Sequence, residues 1–255
     1  MKKLLLKTYK FWSWLLPSIY YPYRLAGGRV YLDISESRAM LARALGRYER
    51  AKQQAVQALL PAGGTFVDVG VNKGDFTLLA ARTVGEGGRV LAFEPEPENC
   101  RWIAKSVARN GYRNIQLEQL ALSDRNGDAE LYLGTKSGWH SLVSGGRDPQ
   151  GGSVRVSTRT LDDFLAERGW ERSVDMVKID VEGADMQVLR GAAAVLAQNP
   201  GLVLLVDIHP EHGVNPQALC DYLRDLGFSI FREQAPFDIP VTDCSRVGAI
   251  VARRP

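Results

Sequence analysis

From residue 65 onward, short apolar runs of strand length alternate with segments of helical length, and this alternation is the strongest constraint on the fold. Strands separated by a helix pair in parallel, because the chain must cross back over the sheet. The last two runs, 228–233 and 246–252, have only a loop between them, which favours antiparallel pairing. The sequence therefore predicts an α/β fold whose mostly parallel, seven-stranded sheet ends in a reversed strand. The other five strands are predicted at 65–69, 89–93, 114–120, 174–179 and 202–207.

One part of the chain departs from this alternation. Residues 128–133 and 154–158 alternate polar and apolar side chains, as half-exposed strands do. Between them lies a Gly- and Ser-rich segment, 134–153, which contains Trp139 and His140. This pattern predicts a hairpin-like insertion at about 128–158 with a long loop. The helices of the main alternation are predicted at 75–84, 97–110, 160–168, 184–197 and 215–226.

The first 60 residues precede the alternating pattern and are interpreted as a separate N-terminal part. They contain a short predicted strand at 29–33 and a helical stretch at about 36–60, which Pro61 and the following glycines end. The predicted organisation is thus an aromatic and basic segment with a helix at 1–60, followed by one domain at 61–255.

Residues 1–23 combine lysines with leucines and aromatic residues, but the apolar stretch is too short to span a bilayer. A secretory signal would have one unbroken apolar core followed by small residues, and tyrosines follow here instead. Two interpretations stay open. The segment could bind the inner face of a membrane peripherally, with lysines facing anionic lipid. Alternatively, its apolar face could pack on the enzyme or on a second copy in a homo-oligomer.

Composition excludes some classes of partner and cofactor. The 32 Lys and Arg against 29 Asp and Glu give a net charge of only +3, which does not favour a nucleic-acid partner. The three cysteines, Cys100, Cys220 and Cys244, form no CxxC pair, so we predict neither a disulfide framework nor a zinc site. A reducing cytoplasm is the expected compartment.

The first strand and helix are joined by a turn that begins after Asp68 and contains Gly70, Asn72 and Gly74. Glycines allow a tight turn and a close approach of backbone to ligand. A dinucleotide-binding turn would carry three glycines, but here Asn72 stands at the middle position and no third glycine follows. Acidic Asp68 suits a ligand with an ammonium or sulfonium group better than one with phosphates.

The second strand ends at Glu94, which is the expected place for an acid that binds a ribose diol. A ribose without phosphates and with a cationic amino-acid tail describes S-adenosylmethionine (SAM). The missing three-glycine fingerprint disfavours the alternative, a nicotinamide-dependent oxidoreductase.

Several motifs resemble those of the FkbM-type methyltransferases, class I SAM-dependent enzymes with a Rossmann-like fold that are associated with O-methylation of natural products and glycans. The resemblance covers roughly residues 46–210. The motifs are Gly46-Arg47-Tyr48-Glu49, FVDVGVNKGDFTLLAA from Phe66, FEPEPEN from Phe93, ALSDRNGDAELY from Ala121, TLDDFL from Thr160 and VKIDVEGADMQVLRGA from Val177.

The resemblance implies roles for particular residues. It places Asp68, Gly70, Asn72 and Gly74 at the methionine end of SAM, Glu94 at the ribose, and Ser123 and Asp124 near the adenine. The chain departs from the usual family pattern at Val71, Lys73, Asp185 and Asp207.

Methyl transfer to an alcohol requires alignment of acceptor, methyl and sulfur, and a base to take the hydroxyl proton. Ligands of open α/β sheets bind beyond the carboxyl ends of the strands. That rule selects Asp180 and Glu182 after one strand, and Asp207 with His209 after the next. We expect these groups to converge, with His209 able to accept a proton near neutrality given its ordinary pKa of ~6.5.

Three alternatives stay open for this site. Asp180 and Glu182 could instead cap the next helix, or hold a divalent cation, although no further ligand set is evident and no metal is predicted. His140, in the insertion loop, is a candidate catalytic residue on a lid over the acceptor. The predicted function is SAM-dependent O-methylation of a sugar, polyketide or other small hydroxylated acceptor; the alternative is a non-catalytic SAM-binding or membrane-associated scaffold protein.

Overall fold

A computed structural model describes residues 18–144 and 151–254. Most of the proposed membrane segment, and part of the insertion loop, therefore lie outside the described residues. The helices are α1 (Arg38–Ala44), α2 (Arg50–Leu59), α3 (Asp75–Val84), α4 (Pro97–Asn110), α5 (Leu161–Ala166), α6 (Asp185–Arg190), α7 (Ala193–Gln198) and α8 (Pro216–Asp225), with a 3-10 turn at Pro210–His212. The strands are β1 (Tyr21–Leu25), β2 (Gly28–Leu32), β3 (Thr65–Val69), β4 (Arg89–Phe93), β5 (Ile115–Glu118), β6 (Ala121–Leu122), β7 (Gly127–Tyr132), β8 (Ser153–Arg159), β9 (Met176–Ile179), β10 (Val203–Asp207), β11 (Ser229–Arg232) and β12 (Ala249–Arg253).

The central sheet has seven strands in the order β11-β12-β10-β9-β3-β4-β5. Strands β5, β4, β3, β9 and β10 pair in parallel, and β12 runs antiparallel to β10 and β11. The predicted α/β fold with a reversed last strand is confirmed. The reversal follows from the helix-free connection between β11 and β12, which cannot supply the crossover that a parallel pair needs. This order brings the carboxyl ends of β4, β3, β9 and β10 together at one edge.

Helix α4 shows how local sequence fixes the position of the strands around it. Its N-cap, Glu96, accepts hydrogen bonds from the backbone N–H groups of Glu98 and Asn99, and Pro97 occupies its first turn. Gly111 ends the helix in the left-handed conformation with φ +71°. The helix therefore begins directly after the end of β4 and holds that strand end in place.

The insertion forms a small sheet of its own. Strands β7 and β8 pair antiparallel as predicted, and β6 pairs in parallel with β8. The sequence had placed a single strand at 114–120, whereas in the structure β5 ends at Glu118 and β6 begins at Ala121. The chain thus leaves the central sheet at residues 119–120 and enters the small one, which carries the loop of Trp139 and His140.

The predicted helix at 36–60 is wrong, because the structure contains two helices separated by residues 45–49. Gly46 has φ +61° and Glu49 has φ +43°, and both values interrupt an α-helix. Two contacts of buried Arg43 stabilise this interruption. Arg43 lies 3.4 Å from Asp75, and its guanidinium lies 3.7 Å from the centre of the Tyr48 ring. The hydrophobic spacing across 36–60 could not predict this break, because it depends on a contact with Asp75 in another part of the chain.

The predicted helix at 184–197 is also divided, into α6 and α7. A Cβ at Gly191 would lie 2.0 Å from the carbonyl oxygen of Ser123, so the chain at this point packs directly against backbone. Only glycine permits so close an approach. The division is therefore set by a tertiary contact that no local pattern reports.

The expectation that the cysteines stay unpaired is wrong for two of them. Cys220 on α8 and Cys244, before β12, form a disulfide across a sequence separation of 24 residues, while Cys100 is free and buried. The fold brings the pair together, and the spacing of isolated cysteines does not predict such a contact. A disulfide is uncommon in a reducing compartment, so cytoplasmic location stays a prediction from sequence only. Among residues 18–144 and 151–254, none of the helices combines the length and apolar character needed to cross a membrane.

Candidate active site

A cavity of about 850 Å³ opens at the carboxyl ends of β3, β4, β9 and β10. Ligands of open α/β sheets bind at this edge, because the loops that follow the strands meet there. The volume is within the range of small-molecule and cofactor sites. The predicted site residues that line it are Gly70, Asn72, Glu94, His140, Asp180, Glu182, Asp207 and His209.

Gly70 is the point at which the turn after β3 meets the end of β9. Its φ is +80°, and a Cβ there would lie 1.9 Å from the carbonyl oxygen of Asp180. Glycine is required on both counts, since other residues strain at this φ and the Asp180 backbone leaves no room. The Gly70 N–H donates to the carbonyl oxygen of Phe93 at 3.1 Å. The predicted cofactor turn is therefore in backbone contact with the strand end that was predicted to carry the chemistry.

Glu94 ends β4 as a buried carboxylate in the cavity wall. It accepts hydrogen bonds from the backbone N–H groups of Asn72 (2.7 Å) and Glu96 (3.1 Å). Burial raises the pKa of Glu94 to about 7, although these hydrogen bonds act in the opposite direction. Asn72 has φ +55°, an uncommon value for a residue other than glycine. Glu94 thus fixes the shape of the turn and stands where an acid would contact a ribose diol.

Asp68 is placed differently from the prediction. Its side chain is completely buried and does not line the cavity, so a direct contact with the methionine end of SAM is not supported. It accepts a hydrogen bond from the Thr77 hydroxyl at 2.6 Å and lies 3.6 Å from Nζ of Lys178. Asp68 therefore lies beneath the site as a buried partner of Lys178, and burial raises its pKa although Lys178 opposes this effect.

Three further predicted cofactor residues lie outside the cavity lining. Gly74 has φ +85° and begins α3, so it shapes the turn without facing the cavity. Ser123 and Asp124 pack against Gly191, and the preceding Ala121 and Leu122 of β6 line the cavity instead. The roles of Ser123 and Asp124 near the adenine therefore stay predictions from the resemblance.

Lys73, where the chain departs from the family pattern, points away from the cavity. It is buried, and its Nζ lies 3.1 Å from Oδ1 of Asn99, 3.2 Å from the Tyr20 hydroxyl and 3.6 Å from Oε2 of Glu36. Burial lowers the pKa of Lys73, and Glu36 opposes this effect. The lysine therefore ties the N-terminal part to the cofactor turn and leaves the turn's cavity side to Gly70 and Asn72.

Asp180 lies at the centre of the charged side chains at the ends of β9 and β10, which we call the cavity floor. Its carboxylate is 3.4 Å from Nζ of buried Lys178 and 3.4 Å from Nε2 of His209. Burial acts to raise the pKa of Asp180, but Lys178 and His209 outweigh it and hold the pKa well below its usual range. Burial acts to lower the pKa of Lys178, and Asp180 and Asp68 reverse that effect. Asp180 is thus a permanent anion with a weakly basic carboxylate.

His209 is protonated near neutrality, contrary to its predicted role as a proton acceptor. Its Nδ1 lies 3.4 Å from Oδ1 of Asp185, and its Nε2 faces Asp180 and, at 3.8 Å, Oε1 of Glu182. Burial acts to lower its pKa, but the close contacts with the Asp180 and Asp185 carboxylates raise it to about 11. The sequence did not show that Asp185, at the start of α6, would face this ring. His212 contacts Oε2 of Glu182 at 3.1 Å.

A second group of charges, Glu49 and Lys52, reaches the cavity floor from the start of α2, and sequence analysis had assigned neither residue a role. Nζ of Lys52 contacts Oδ1 of Asp207 closely and lies 2.7 Å from Oε1 of Glu49. Burial and Asp180 raise the pKa of Asp207, and Lys52 opposes them. Lys52 is 155 residues away from Asp207 in sequence, so no local pattern could predict their contact. The one feature that pointed to this part of the chain was the family-like segment that ends at Glu49.

Left-handed backbone is concentrated at this site. Among the described residues other than glycine, positive φ occurs at Glu49, Asn72, Glu182 and Phe237, and the first three line the cavity. Such conformations cost about 1–3 kcal/mol each and persist where the surrounding structure enforces them. Their clustering marks Glu49 as part of the site, together with the two residues predicted from sequence.

Two sets of potential metal ligands occur in the described part of the chain. Asp180, Glu182 and His209 form one, and Glu49, Asp180 and Asp207 form the other, with their ligand atoms within 4.8 Å of one another. Neither set fits a divalent cation well, because the imidazolium of His209 and the ammonium groups of Lys52 and Lys178 already compensate these carboxylates. A metal would have to displace cations that the fold holds in place.

Residues 136–140 of the insertion loop form part of the cavity wall. Ser137 donates to Oε1 of Glu36 through both its N–H (2.8 Å) and its hydroxyl (2.6 Å), which joins the loop to the N-terminal part. Nδ1 of His140 accepts a hydrogen bond from the N–H of Gly134 at 3.2 Å, and burial lowers the pKa of His140. His140 is therefore neutral, in contrast to His209, and lies with Trp139 in the cavity wall.

The strand order and the cavity at the ends of the parallel strands define a class I, SAM-dependent methyltransferase fold. A model of the methyltransferase FkbM domain matches residues 68–230, from the end of β3 to β11. The chain therefore belongs to the FkbM methyltransferase family.

Three curated relatives illustrate the range of this similarity. Methyltransferase sdnD of Sordaria araneosa is 30% identical over 210 residues, which span 70% of this chain and 78% of the relative. The 2-O-methyltransferase NoeI of Sinorhizobium fredii is 28% identical over 58% of this chain and 65% of its own length. The hexuronic acid methyltransferase AglP of Haloferax volcanii is 28% identical over 71% of both.

Proposed function

We propose that this protein transfers the methyl group of SAM to a hydroxyl oxygen of a small acceptor, with a sugar as the favoured acceptor. The observation that carries the proposal is the direct backbone contact between Gly70 of the cofactor turn and Asp180 of the charged floor. One cavity therefore contains both the residues suited to the cofactor and the carboxylates suited to an alcohol.

SAM supplies a methyl carbon that its sulfonium sulfur already activates. Glu94 would bind the ribose hydroxyls, and the Gly70–Asn72 turn would lie along the amino-acid portion. The protein's contribution is then to hold acceptor oxygen, methyl carbon and sulfur in line, which can lower the barrier by about 7–11 kcal/mol. Asp180 is fixed by Lys178 and His209, and its side chain is 24% exposed, more than those of its ionic partners. We assign it the binding of an acceptor hydroxyl as a hydrogen-bond acceptor.

The acceptor side of the cavity suits a polyhydroxylated ring. The rings of Trp139 and Tyr48 are in the lining, each with a cation over one face, while Glu49, Asp180 and Glu182 offer carboxylate oxygens. Aromatic faces with nearby hydrogen-bond acceptors match the apolar faces and hydroxyl edges of a sugar. The printed functions of the relatives NoeI and AglP, a 2-O-methyltransferase and a hexuronic acid methyltransferase, support the same class of acceptor. The competing proposal is a SAM-binding scaffold, which would bind the cofactor without turnover.

The test is transfer from tritium-labelled SAM to hexuronic acids, their glycosides, neutral hexoses and fractionated cell extract. We expect label in a base-stable ether on a sugar. Asp180→Asn should lower kcat/KM for the acceptor by at least about 100-fold, because the charged hydrogen bond that orients the acceptor is lost, and should leave SAM affinity within about 3-fold.

Asp225→Asn is the matched control, because Asp225 is exposed on α8 and should tolerate the change. SAM binding without transfer to any of these acceptors would favour the scaffold, and full activity of Asp180→Asn would contradict the assignment of Asp180.

A further inference from the structure

Two carboxylates that face the same space on the cavity floor differ sharply in their surroundings. Asp180 has two cations on it, Lys178 and the imidazolium of His209. Asp207, at the end of the neighbouring β10, has Lys52 as its close cationic contact and shares it with Glu49. The carboxylate oxygens of Glu49, Asp180 and Asp207 lie within 4.8 Å of one another. The two aspartates can therefore contact neighbouring oxygens of one bound acceptor.

Asp207 also keeps one carboxylate oxygen unused. Its Oδ1 is taken by Lys52, whereas its buried Oδ2 accepts no hydrogen bond from residues 18–144 or 151–254. A buried polar atom without a partner costs free energy, and a proton on this oxygen would lower that cost. The residue is 8% exposed and lines the cavity. A carboxylate in this position can accept a proton from a bound hydroxyl group.

We propose that Asp207 is the catalytic base of the methyl transfer and that Lys52 and Glu49, at the start of α2, set its basicity. In this step the acceptor oxygen forms a bond to the methyl carbon, the C–S bond breaks with its electron pair moving to sulfur, and the O–H proton passes to the Asp207 carboxylate. Asp180 holds the acceptor through a second hydroxyl group. The inference rests on the proposed function.

The surrounding charges support this division of roles. Burial and the negative charge of Asp180 make Asp207 a stronger base than an ordinary aspartate, and Glu49 acts in the same sense. The positive charges of Lys52 and Lys178 act in the opposite sense. At Asp180 the neighbouring cations outweigh the effect of burial and lower its pKa, so it is too weak a base to retain a proton. Among the described residues, these four groups, on α2 and its N-cap and on β9 and its end, are the charged neighbours with the largest effect on Asp207.

The direct test is Asp207→Asn, which removes the base and keeps the shape of the side chain. With SAM and acceptor saturating, we expect kcat to fall by at least about 100-fold, within the usual contribution of a general base. Calorimetric titration should give the same SAM affinity to within about 3-fold. Asp225→Asn, on the exposed face of α8, should leave both quantities unchanged. A kcat within 5-fold of the unaltered enzyme would overturn the proposal.

A pH profile separates a base from a merely structural aspartate. The logarithm of kcat should rise with pH until Asp207 is ionised, and with SAM saturating the profile reports the groups that titrate in the bound complex. Glu49→Gln removes a neighbouring anion, so the midpoint should move to lower pH by about 1 unit. Lys52→Met removes a cation, so the midpoint should move to higher pH by a similar amount.

The two substitutions lie three residues apart and carry opposite predictions, so a general loss of stability cannot mimic both. If Lys52→Met fails to fold, the Glu49→Gln shift still decides the question. If both variants are active and the midpoints of their pH profiles do not move, the role of Asp207 is overturned and the proposed function is not. Absence of transfer by the unaltered enzyme to every acceptor would instead overturn the proposed function.

Discussion

Glu94→Ala should weaken SAM binding by at least about 100-fold. The substitution removes the carboxylate that would bind the ribose diol, and hydrogen bonds to a charged group contribute about 1.5–3 kcal/mol each. It also leaves the N–H of Asn72 without its acceptor at 2.7 Å, so the left-handed turn loses its support. Two such losses correspond to about 100-fold or more in the dissociation constant. Isothermal titration with S-adenosylhomocysteine measures the effect directly.

The control for this prediction is Glu98→Ala, because Glu98 is exposed on the same helix that follows Glu94. Its affinity should stay within 2-fold of the unaltered protein. Thermal unfolding of both variants distinguishes loss of the binding group from loss of the fold. An unchanged affinity in folded Glu94→Ala would mean that the cofactor's ribose lies elsewhere.

Lys178→Met should lower the free energy of unfolding by about 3–5 kcal/mol, the usual cost of removing one partner from a buried ion pair. Lys178 is 2% exposed and lies between Asp68 at 3.6 Å and Asp180 at 3.4 Å. Methionine fills a similar volume but leaves buried Asp68 without a cation and Asp180 with His209 as its remaining close cation. Urea denaturation monitored by circular dichroism measures the change.

A second substitution tests the reason for this loss. Lys178→Met combined with Asp68→Asn should be more stable than Lys178→Met alone, because one uncompensated charge is removed. Arg109→Met is the control, since Arg109 is an exposed cation on α4 and its loss should change stability by less than about 0.5 kcal/mol. A loss below 1 kcal/mol for Lys178→Met would show that the buried cation has no such role.

The sequence predicted the central sheet well because its strands are short, apolar and separated by helices of ordinary length. The helix-free link before β12 was sufficient to predict the reversed strand. The position of Glu94 followed from the same regularity, since the end of the second strand falls at the ligand-binding edge of any such sheet. These features depend on local pattern and on general rules of topology.

The charged floor could not be predicted to the same extent, because it depends on contacts between distant segments. Lys52 reaches Asp207 from a helix that the hydrophobic pattern had merged with α1. His209 becomes an imidazolium because Asp185 faces its other nitrogen. Asp68, which the turn motif assigned to the cofactor, is instead buried against Lys178 of the neighbouring strand. Residue types and strand ends predicted the site, whereas the protonation state of each group required the structure.

The proposed function depends on where the cofactor binds. We place its nucleoside between the Gly70 turn and Glu94, with its sulfur toward Asp180 and Asp207. The most direct measurement is a crystal structure of the protein with S-adenosylhomocysteine. We expect both ribose hydroxyls within hydrogen-bonding distance of the Glu94 carboxylate, and the sulfur facing the charged floor. A ligand bound elsewhere, or a cavity closed to it by its own side chains, would contradict the proposed site.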